Sequence, residues 1–313
     1  MEFGDYRVEV IPDTEFRLDG GAMFGVVPRV VWERVSPPDE KNRIRMNMNC
    51  VFIDTGKDKI FIETGIGEKW TPKQIEMYGI FREKPFAETL FERAGCKPED
   101  ITIVINTHLH FDHAGGNTIL SSPPSKGGVD AASADGTKGS PPYKGGVDAA
   151  SADGVVLSST VVPQFPNARY LVSASELAHA EHPHERDHAS YLPENWRPLV
   201  HTGQLEHTPD AHEPVQGLHL QTTRGHSETM QTWRLDRGGQ TLFGFADLIP
   251  TRHHVPLPWI MGYDLYPTET LAFKKAALPQ AVKDEWICLF YHDFEHPLCK
   301  LVEIEGKIQA IAI

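Results

Sequence analysis

Thr107-His108-Leu109-His110-Phe111-Asp112-His113-Ala114-Gly115-Gly116 is the stretch of sequence that decides the fold. It follows the apolar run Ile101-Thr102-Ile103-Val104-Ile105, which predicts a buried strand. His108 and His110 are two residues apart, so on an extended backbone their side chains point the same way. The glycine pair lets the chain turn close to a bound group. Because neutral imidazole and carboxylate are the usual ligands of zinc and related ions, the stretch predicts a metal site.

Three later apolar runs also end at a side chain that can bind a metal. Runs 218–223, 241–246 and 286–291 are followed by His226, Asp247 and His292. If these strands lie in facing sheets with their carboxyl ends at one edge, the ligand-type groups converge there. The predicted metal ligands are therefore His108, His110, Asp112, His113, His226, Asp247 and His292.

The pattern His-x-His-x-Asp-His, followed by Gly225-His226-Ser227, Asp247 and His292, resembles the metallo-β-lactamase superfamily of metallohydrolases. The resemblance implies an α/β fold, the four-layer αββα metallo-β-lactamase sandwich. It also implies two divalent metal ions, most simply zinc, with manganese, iron or cobalt as alternatives. By the resemblance, the first ion takes His108, His110 and His226, the second takes Asp112, His113 and His292, and Asp247 bridges them.

Such a metal pair would supply hydrolytic chemistry. Two cations about 3.5–4 Å apart lower the pKa of a bridging water, and the resulting hydroxide attacks a carbonyl or phosphoryl centre. Asp112 and Asp247 are the predicted catalytic carboxylates, and Asp112 would orient the water or accept its proton. Glu63 stands where the family commonly has the aspartate of Asp-Thr-Gly, which supports the metal ligands. Glu63 either does the same with a longer side chain or simply ends a strand.

Two further segments resemble the branch of the family that contains quorum-quenching lactonases and methyl-parathion-type hydrolases. They are Gly21-Ala22-Met23-Phe24-Gly25-Val26-Val27-Pro28 and Pro258-Trp259-Ile260-Met261-Gly262-Tyr263-Asp264. The branch implies an ester or lactone substrate similar to an acyl-homoserine lactone. The lactonase pattern often has a tyrosine three residues after the bridging aspartate, where this chain has Pro250, so His253, His254, Tyr263 or Tyr266 would have to donate the proton. Met23, Phe24 and Trp259 are either walls of the substrate pocket or ordinary core residues.

Other functions remain open alternatives. A glyoxalase-II-type thioesterase would need a basic pocket near the C-terminus, and only Lys300 and Lys307 follow His292, so it ranks second. A phosphotriesterase is a further alternative. A flavo-diiron oxidoreductase would have glutamate in place of His110. The non-enzymatic alternative is a catalytically silent metal-binding scaffold, which metal analysis would test.

Composition limits the class of partner and the location. The 313 residues suit one domain, and a formal net charge of −13 disfavours nucleic acid as a partner. A small-molecule substrate is expected, and a homodimer is compatible with the sequence. No apolar run is long enough to cross a membrane and no secretory signal precedes the first strand, so a cytoplasmic location is predicted. Cys50, Cys96, Cys288 and Cys299 form no Cys-x-x-Cys motif and are predicted to be reduced and buried.

The remaining patterns organise the chain around this centre. Helices are predicted at 71–79, 85–94, 174–182 and 267–282, and hairpins at 48–63 and 298–313. Residues 1–36 predict edge strands and loops, and residues 189–216 predict a loop. The sequence of residues 126–136 recurs at 144–154. The Gly/Ala/Ser-rich composition of 121–159 predicts a surface loop inserted within a single domain, 1–313. The alternative is that this insertion forms a lid over the site. The histidines near 180 predict a solvated helix end, with a second metal site as the alternative: His179, His182, His184 and His188.

Overall fold

A computed structural model describes residues 1–121 and 160–313 of the protein. The predicted insertion at 121–159 lies outside the described residues, except for Ser121 at its start. The strands are β1 (Glu2–Phe3), β2 (Tyr6–Asp19), β3 (Arg43–Asp54), β4 (Lys59–Ile62), β5 (Ile103–Ile105), β6 (Thr118–Leu120), β7 (Val161–Pro163), β8 (Arg169–Ser173), β9 (Leu205–Thr208), β10 (Ala211–Val215), β11 (Leu218–Thr222), β12 (Gln231–Arg237), β13 (Gln240–Gly244), β14 (Ile287–Leu289), β15 (Leu298–Ile304) and β16 (Lys307–Ala312). The α-helices are α1 (Gly20–Phe24), α2 (Arg29–Trp32), α3 (Pro72–Tyr78), α4 (Phe86–Ala94), α5 (Phe111–Ala114), α6 (Ala174–Glu181), α7 (Arg197–Thr202) and α8 (Pro267–Lys283).

The strands form two seven-stranded sheets and one small pair. The first sheet has the order β1-β2-β3-β4-β5-β8-β9, and the second has β10-β11-β12-β13-β14-β15-β16. In the first sheet β4, β5, β8 and β9 are parallel to one another. In the second sheet β11 and β13 both pair antiparallel with β12, and β13 is parallel to β14. Strands β11, β13 and β14 therefore end at the same edge of their sheet.

The two sheets face each other across one hydrophobic core, and helices cover their outer sides. Asn49 of β3 links the sheets directly, because its side-chain amide donates to the carbonyls of Tyr291 at 2.9 Å and Asp293 at 2.8 Å. Phe86 of α4 packs on Phe61 of the first sheet, and Phe273 of α8 packs near Phe245, which follows β13. This helix–sheet–sheet–helix order confirms the predicted four-layer αββα sandwich.

The predicted helices and hairpins are confirmed, for local reasons that the sequence already contains. Thr71 and Gln74 form a capping box at the start of α3, and the Ser173 side chain caps α6. Gly95 ends α4 in the left-handed conformation. Strands β3 and β4 pair antiparallel, as do β15 and β16.

Two parts of the predicted layout are wrong. Residues 20–24 and 29–32 form α1 and α2 and not edge strands, because Asp19 caps the amide of Ala22 and the rings of Phe24 and Trp32 stack at 5.2 Å. Residues 189–216 are not one loop, since they contain α7, β9 and β10. Strand β9 forms by adding to the edge of β8, and such a non-local pairing leaves no periodic pattern in its own sequence.

Two further predictions concern the cysteines and membrane-spanning helices. The four cysteines are free and buried, as predicted. None of the helices in the described parts of the chain is long and apolar enough to span a membrane.

Candidate metal centre

The turn after β5 is held in shape by two buried carboxylates. Glu63 follows β4 and accepts a hydrogen bond from the amide of Thr107 at 3.0 Å, and Glu176 of α6 accepts one from the amide of Leu109 at 2.7 Å. Both carboxylates are fully buried. They fix the backbone on either side of His108, so that the rings of His108 and His110 lie 4.6 Å apart between their centroids.

The glycine pair at the end of the motif allows the chain to approach the turn after β4. The Gly116 amide donates to the Gly65 carbonyl at 3.1 Å. A Cβ at Gly115 would meet the Ile66 carbonyl oxygen at 2.2 Å, and one at Gly116 would meet the Thr64 carbonyl oxygen at 2.1 Å. Glycine is therefore required here because the two backbones touch, as the sequence pattern indicated.

The seven predicted ligands converge into two adjacent sets of side chains. Within each set, one potential ligand atom from every residue lies within 4.8 Å of the others. All seven residues are buried. The first set is His108, His110 and His226, and the second set is Asp112, His113, Asp247 and His292.

Asp247 connects the two sets through its two carboxylate oxygens. Its Oδ2 lies 3.4 Å from Nε2 of His226, in the first set. Its Oδ1 lies 3.1 Å from Nε2 of His113 and 3.1 Å from Nε2 of His292, in the second set. Asp247 therefore lies between the two sets, with one carboxylate oxygen facing each.

The donor atoms fit a metal better than they fit one another. His108 Nε2 and His110 Nε2 are buried and lack a hydrogen-bond partner among the described residues. His110 Nδ1 and His226 Nε2 face each other at 3.1 Å. Buried ring nitrogens without partners are costly in a protein interior, and neutral imidazoles turned toward a common point are suited to a divalent ion. The residues present therefore fit the metals that the sequence predicts.

Electrostatics distinguishes His108 and His110 from His113. Burial lowers the pKa of His108 and of His110 well below the ordinary value, so both stay neutral, which is the form that binds metals. Burial also opposes protonation of His113, but the carboxylates of Asp247, Glu63 and Asp112 outweigh it and raise its pKa well above the ordinary value. The negative charge around His113 favours a cation at this position, either a proton on the ring or a metal ion.

Three of the imidazoles have a partner on one ring nitrogen, which orients the ring. His226 Nδ1 lies 3.1 Å from Asp264 Oδ1, and His292 Nδ1 lies 3.1 Å from the Asn47 carbonyl. His108 Nδ1 lies 3.0 Å from Thr107 Oγ1. Such partners orient metal-binding histidines and raise their basicity.

Glu63 occupies the supporting position that the resemblance implies. Its Oε1 lies 3.5 Å from His113 Nδ1 while accepting the Thr107 amide. Glu63 also forms a third potential ligand set with His108 and His113. Because its carboxylate is already committed to the Thr107 amide, we interpret Glu63 as orienting His113. The backbone at Glu63 is left-handed, with φ of 61°.

A cavity of about 220 Å³ opens onto the two sets, and of the predicted substrate residues Met23 and Tyr263 line it. Phe24 lies behind the wall, stacked on His254 at 4.7 Å and edge-on to Trp259 at 5.5 Å. His254 is fully buried and contacts the Met23 carbonyl at 2.9 Å through Nε2. His253 is not among the lining residues, and Tyr266 lies under the Arg224 guanidinium.

Sequence reasoning missed several residues of this region. Met46, Tyr78, Arg186 and Met261 also line the cavity. The sequence singles out Asp264 only within a family-like segment, and Glu176 only within the predicted helix 174–182. The histidines near 180 form no candidate metal set in the described residues. His179 instead pairs with Asp187 at 2.8 Å.

Comparison with known proteins gives consistent matches. The family model described as the metallo-beta-lactamase superfamily matches residues 44–292. An N-acyl homoserine lactonase of Bacillus cereus is 33% identical over 92 residues, which cover 26% of this chain and 37% of that protein. One of Bacillus thuringiensis is 31% identical over 84 residues, or 24% of this chain and 34% of that protein. The chain thus matches about a third of the length of these curated relatives.

Solved structures match over the whole chain. A probable metal-dependent hydrolase from Staphylococcus aureus has a TM-score of 0.81 at 25% identity, covering 100% of this chain and 99% of that one. A dizinc quorum-quenching lactonase, solved in complex with a product, has a TM-score of 0.70 at 16% identity, covering 100% and 96%. At that identity the second likeness concerns the fold alone.

Proposed function

The chain belongs to the metallo-beta-lactamase superfamily, and from this premise we propose that it is a dinuclear metal-dependent hydrolase acting on an ester or lactone. The observation that carries the proposal is the position of Asp247. Its Oδ2 faces His226 of one ligand set at 3.4 Å, while its Oδ1 faces His113 and His292 of the other at 3.1 Å. Buried ring nitrogens without hydrogen-bond partners among the residues described, such as Nε2 of His108 and of His110, are costly in the interior unless a cation binds them, which supports a metal site here.

The residues assigned to the metals are His108, His110 and His226 on one side, Asp112, His113 and His292 on the other, with Asp247 shared. Two divalent ions bound there would polarise a carbonyl oxygen and lower the pKa of water enough to make it the nucleophile. Zinc suits this mixture of imidazole and carboxylate best, with manganese, iron and cobalt as alternatives.

Asp112 is the proposed group that orients the attacking water and takes its proton. The residue is buried yet lines the cavity, and its Oδ2 lies 3.5 Å from His292 Nε2. It therefore borders both the ligands and the space in which a substrate would lie. Asp247 is held ionised, because His113, His292 and His226 outweigh its burial and keep its pKa well below the ordinary value.

Tyr263 is the proposed proton donor to the leaving alkoxide. Of the four donor candidates named from the sequence, it alone is among the residues that line the cavity beside Asp112. Burial, together with the nearby carboxylates of Asp19 and Asp112, raises its pKa to about 12, so its hydroxyl carries a proton at neutral pH. The Tyr263 hydroxyl would take the place of the tyrosine that the lactonase pattern often has three residues after the bridging aspartate, where this chain has Pro250.

The cavity and the relatives both favour a carboxylic ester or lactone. Leu18, Met23, Met46 and Met261 give the cavity an apolar wall, which suits an acyl chain better than a charged leaving group. The partial match to N-acyl homoserine lactonases points in the same direction, so an acyl-homoserine lactone is the first substrate to examine. The expected small-molecule partner is thus uncharged at the scissile bond. The cytoplasmic location, the homodimer and the single domain with an insertion at 121–159 remain predictions.

The test is a substrate panel with restored metal. Protein stripped of metal and reloaded with zinc or manganese is assayed on lactones of several acyl lengths, aryl esters, a glutathione thioester and a phosphotriester. Hydrolysis of lactones or esters that requires metal, and that is lost in Asp247→Ala, is the expected result. Activity confined to the thioester would replace the proposed substrate class, and no activity on any of them would refute the hydrolase.

A further inference from the structure

Lys274 is a buried lysine that the proposed chemistry does not use. It lies in α8 with no exposed surface. Its Nζ donates to the carbonyl oxygens of His254 at 2.6 Å, Pro256 at 2.8 Å and Trp259 at 2.8 Å, with the Leu257 carbonyl farther away at 3.3 Å. An ammonium has three protons to donate, so the three short contacts saturate it.

Burial of the Lys274 ammonium lowers the stability of the fold, so its presence calls for a role that an apolar side chain could not fill. Among the described residues no carboxylate lies within ion-pair distance of Lys274, and burial lowers its pKa to about 7 despite the attraction of Asp264. A well-packed leucine or methionine would fill the same volume without burying an ammonium. What a methionine could not do is hold three carbonyl groups of one loop in a single arrangement.

The carbonyls belong to residues 254–264, which we call the wall loop. At one end His254 Nε2 contacts the Met23 carbonyl at 2.9 Å, and farther along Gly262 donates its amide to the Ala22 carbonyl at 2.7 Å. The loop brings Met261 and Tyr263 to the cavity. It therefore carries one wall of the proposed substrate site and is attached to α1, which carries Met23.

The wall loop also reaches a proposed metal ligand. Asp264 at its end contacts His226 Nδ1, and its other oxygen accepts a hydrogen bond from Thr270 of α8 at 2.7 Å. Helix α8 thus holds the wall loop at two places. Lys274 binds the first part of the loop, and Thr270 binds Asp264 at the end of the loop. The two attachments are one helical turn apart on the same helix.

We propose that Lys274 is a positioning residue that fixes the wall loop by binding its carbonyls and so sets how tightly the cavity binds substrate. The proposal rests on the proposed function for its effect on substrate, but its structural part can be measured without turnover. Within the described parts of the chain, Lys274 neither lines the cavity at the ligand sets nor belongs to those sets, so it acts through the loop.

The test compares Lys274→Met with Lys275→Met, a matched control because Lys275 is the exposed neighbour on the same helix. Hydrogen exchange of the 255–262 amides should become at least about 10-fold faster in Lys274→Met only, since the opened loop loses its protecting contacts. KM for the best ester should rise about 10-fold with kcat nearly unchanged, as expected when binding shared by the ground state and transition state is lost. Unchanged exchange and unchanged KM in Lys274→Met would overturn the proposal.

A second variant covers the case in which Lys274→Met fails to fold. In Lys274→Ala the missing atoms correspond to propylammonium, so this cation should restore slow exchange in the wall loop while 1-propanol, a neutral alcohol of similar size, should not. Equal protection by both, or by neither, would overturn the role of the ammonium. Failure of the wild type to hydrolyse any substrate would refute the proposed function alone, because the exchange measurements would still decide the role of Lys274.

Discussion

Replacement of Asp264 by asparagine should weaken metal binding through His226 without altering the fold. Asp264 Oδ1 lies 3.1 Å from His226 Nδ1, and Oδ2 accepts a hydrogen bond from Thr270 at 2.7 Å. Asparagine has the same shape and can keep both contacts by turning its carbonyl toward His226, since a threonine hydroxyl can also accept. What it loses is the negative charge that, with Asp247, outweighs burial and raises the pKa of His226.

The size of the effect follows from the supporting position of Asp264. Loss of such a partner typically lowers metal affinity about 10- to 100-fold, which corresponds to about 1.4 to 2.8 kcal/mol. Because Asp264 contacts only His226 among the seven ligands, the loss should appear in one of the two equivalents of zinc. The affinity of the other equivalent should change much less.

The assay is zinc titration of metal-free protein against a chromophoric chelator, with thermal unfolding of the metal-free form as the measure of folding. Glu269→Gln is the matched control, because Glu269 is half-buried near the same helix start and pairs with Arg224 at 3.2 Å, away from the ligands. Equal zinc affinity in Asp264→Asn and the wild type would refute the assigned role of Asp264. An equal loss in Glu269→Gln would refute it as well.

Three further predictions concern the carboxylate under the metal turn, the glycine pair and the proposed proton donor. Burial raises the pKa of Glu176 to about 7 from an ordinary 4.5, so its contribution to stability is present below about pH 4.5 and is lost as the pH rises through 7. One pKa unit corresponds to about 1.36 kcal/mol, so between pH 4.5 and pH 8 the free energy of unfolding of Glu176→Gln, measured in urea, should rise by about 3 kcal/mol relative to that of the wild type. Parallel pH profiles of the two proteins would contradict this. Gly116→Ala would bring a Cβ to 2.1 Å from the Thr64 carbonyl oxygen and should cost about 1–3 kcal/mol in the same measurement, whereas wild-type stability would show that the two backbones separate freely. Tyr263→Phe should lower kcat about 100-fold for alkyl esters but little for nitrophenyl esters, whose leaving group needs no proton, and equal losses on both would exclude Tyr263 as the donor.

The parts of the centre that could be predicted from the sequence are those encoded locally. His108, His110, Asp112 and His113 occur within six residues after one strand, and the other ligands each follow an apolar run. The glycine pair also indicated a close backbone contact, because few other residues allow two backbones to approach so closely. The two-sheet layout followed from the same strands.

The supporting contacts could not be predicted, because they join residues that are far apart in the chain. The Asn47 carbonyl meets His292 across 245 positions, and Glu176 meets Leu109 across 67. The burial of Lys274 is equally hidden from the sequence, since a pattern of residue types cannot reveal that a loop will cover a lysine. The sequence leaves Phe24 as either a pocket wall or a core residue and offers His254 as a proton donor, because their stacking behind the wall is also a long-range contact.

The central claim is that the seven converging side chains hold two divalent cations that share Asp247. The most direct measurement is a crystal structure of zinc-loaded protein with anomalous scattering recorded at the zinc edge, alongside the zinc content of the same sample. We expect two peaks on either side of Asp247, one bordered by His108, His110 and His226 and the other by Asp112, His113 and His292, with about two equivalents of zinc per chain. No bound metal, or metal bound only away from these residues, would contradict the account.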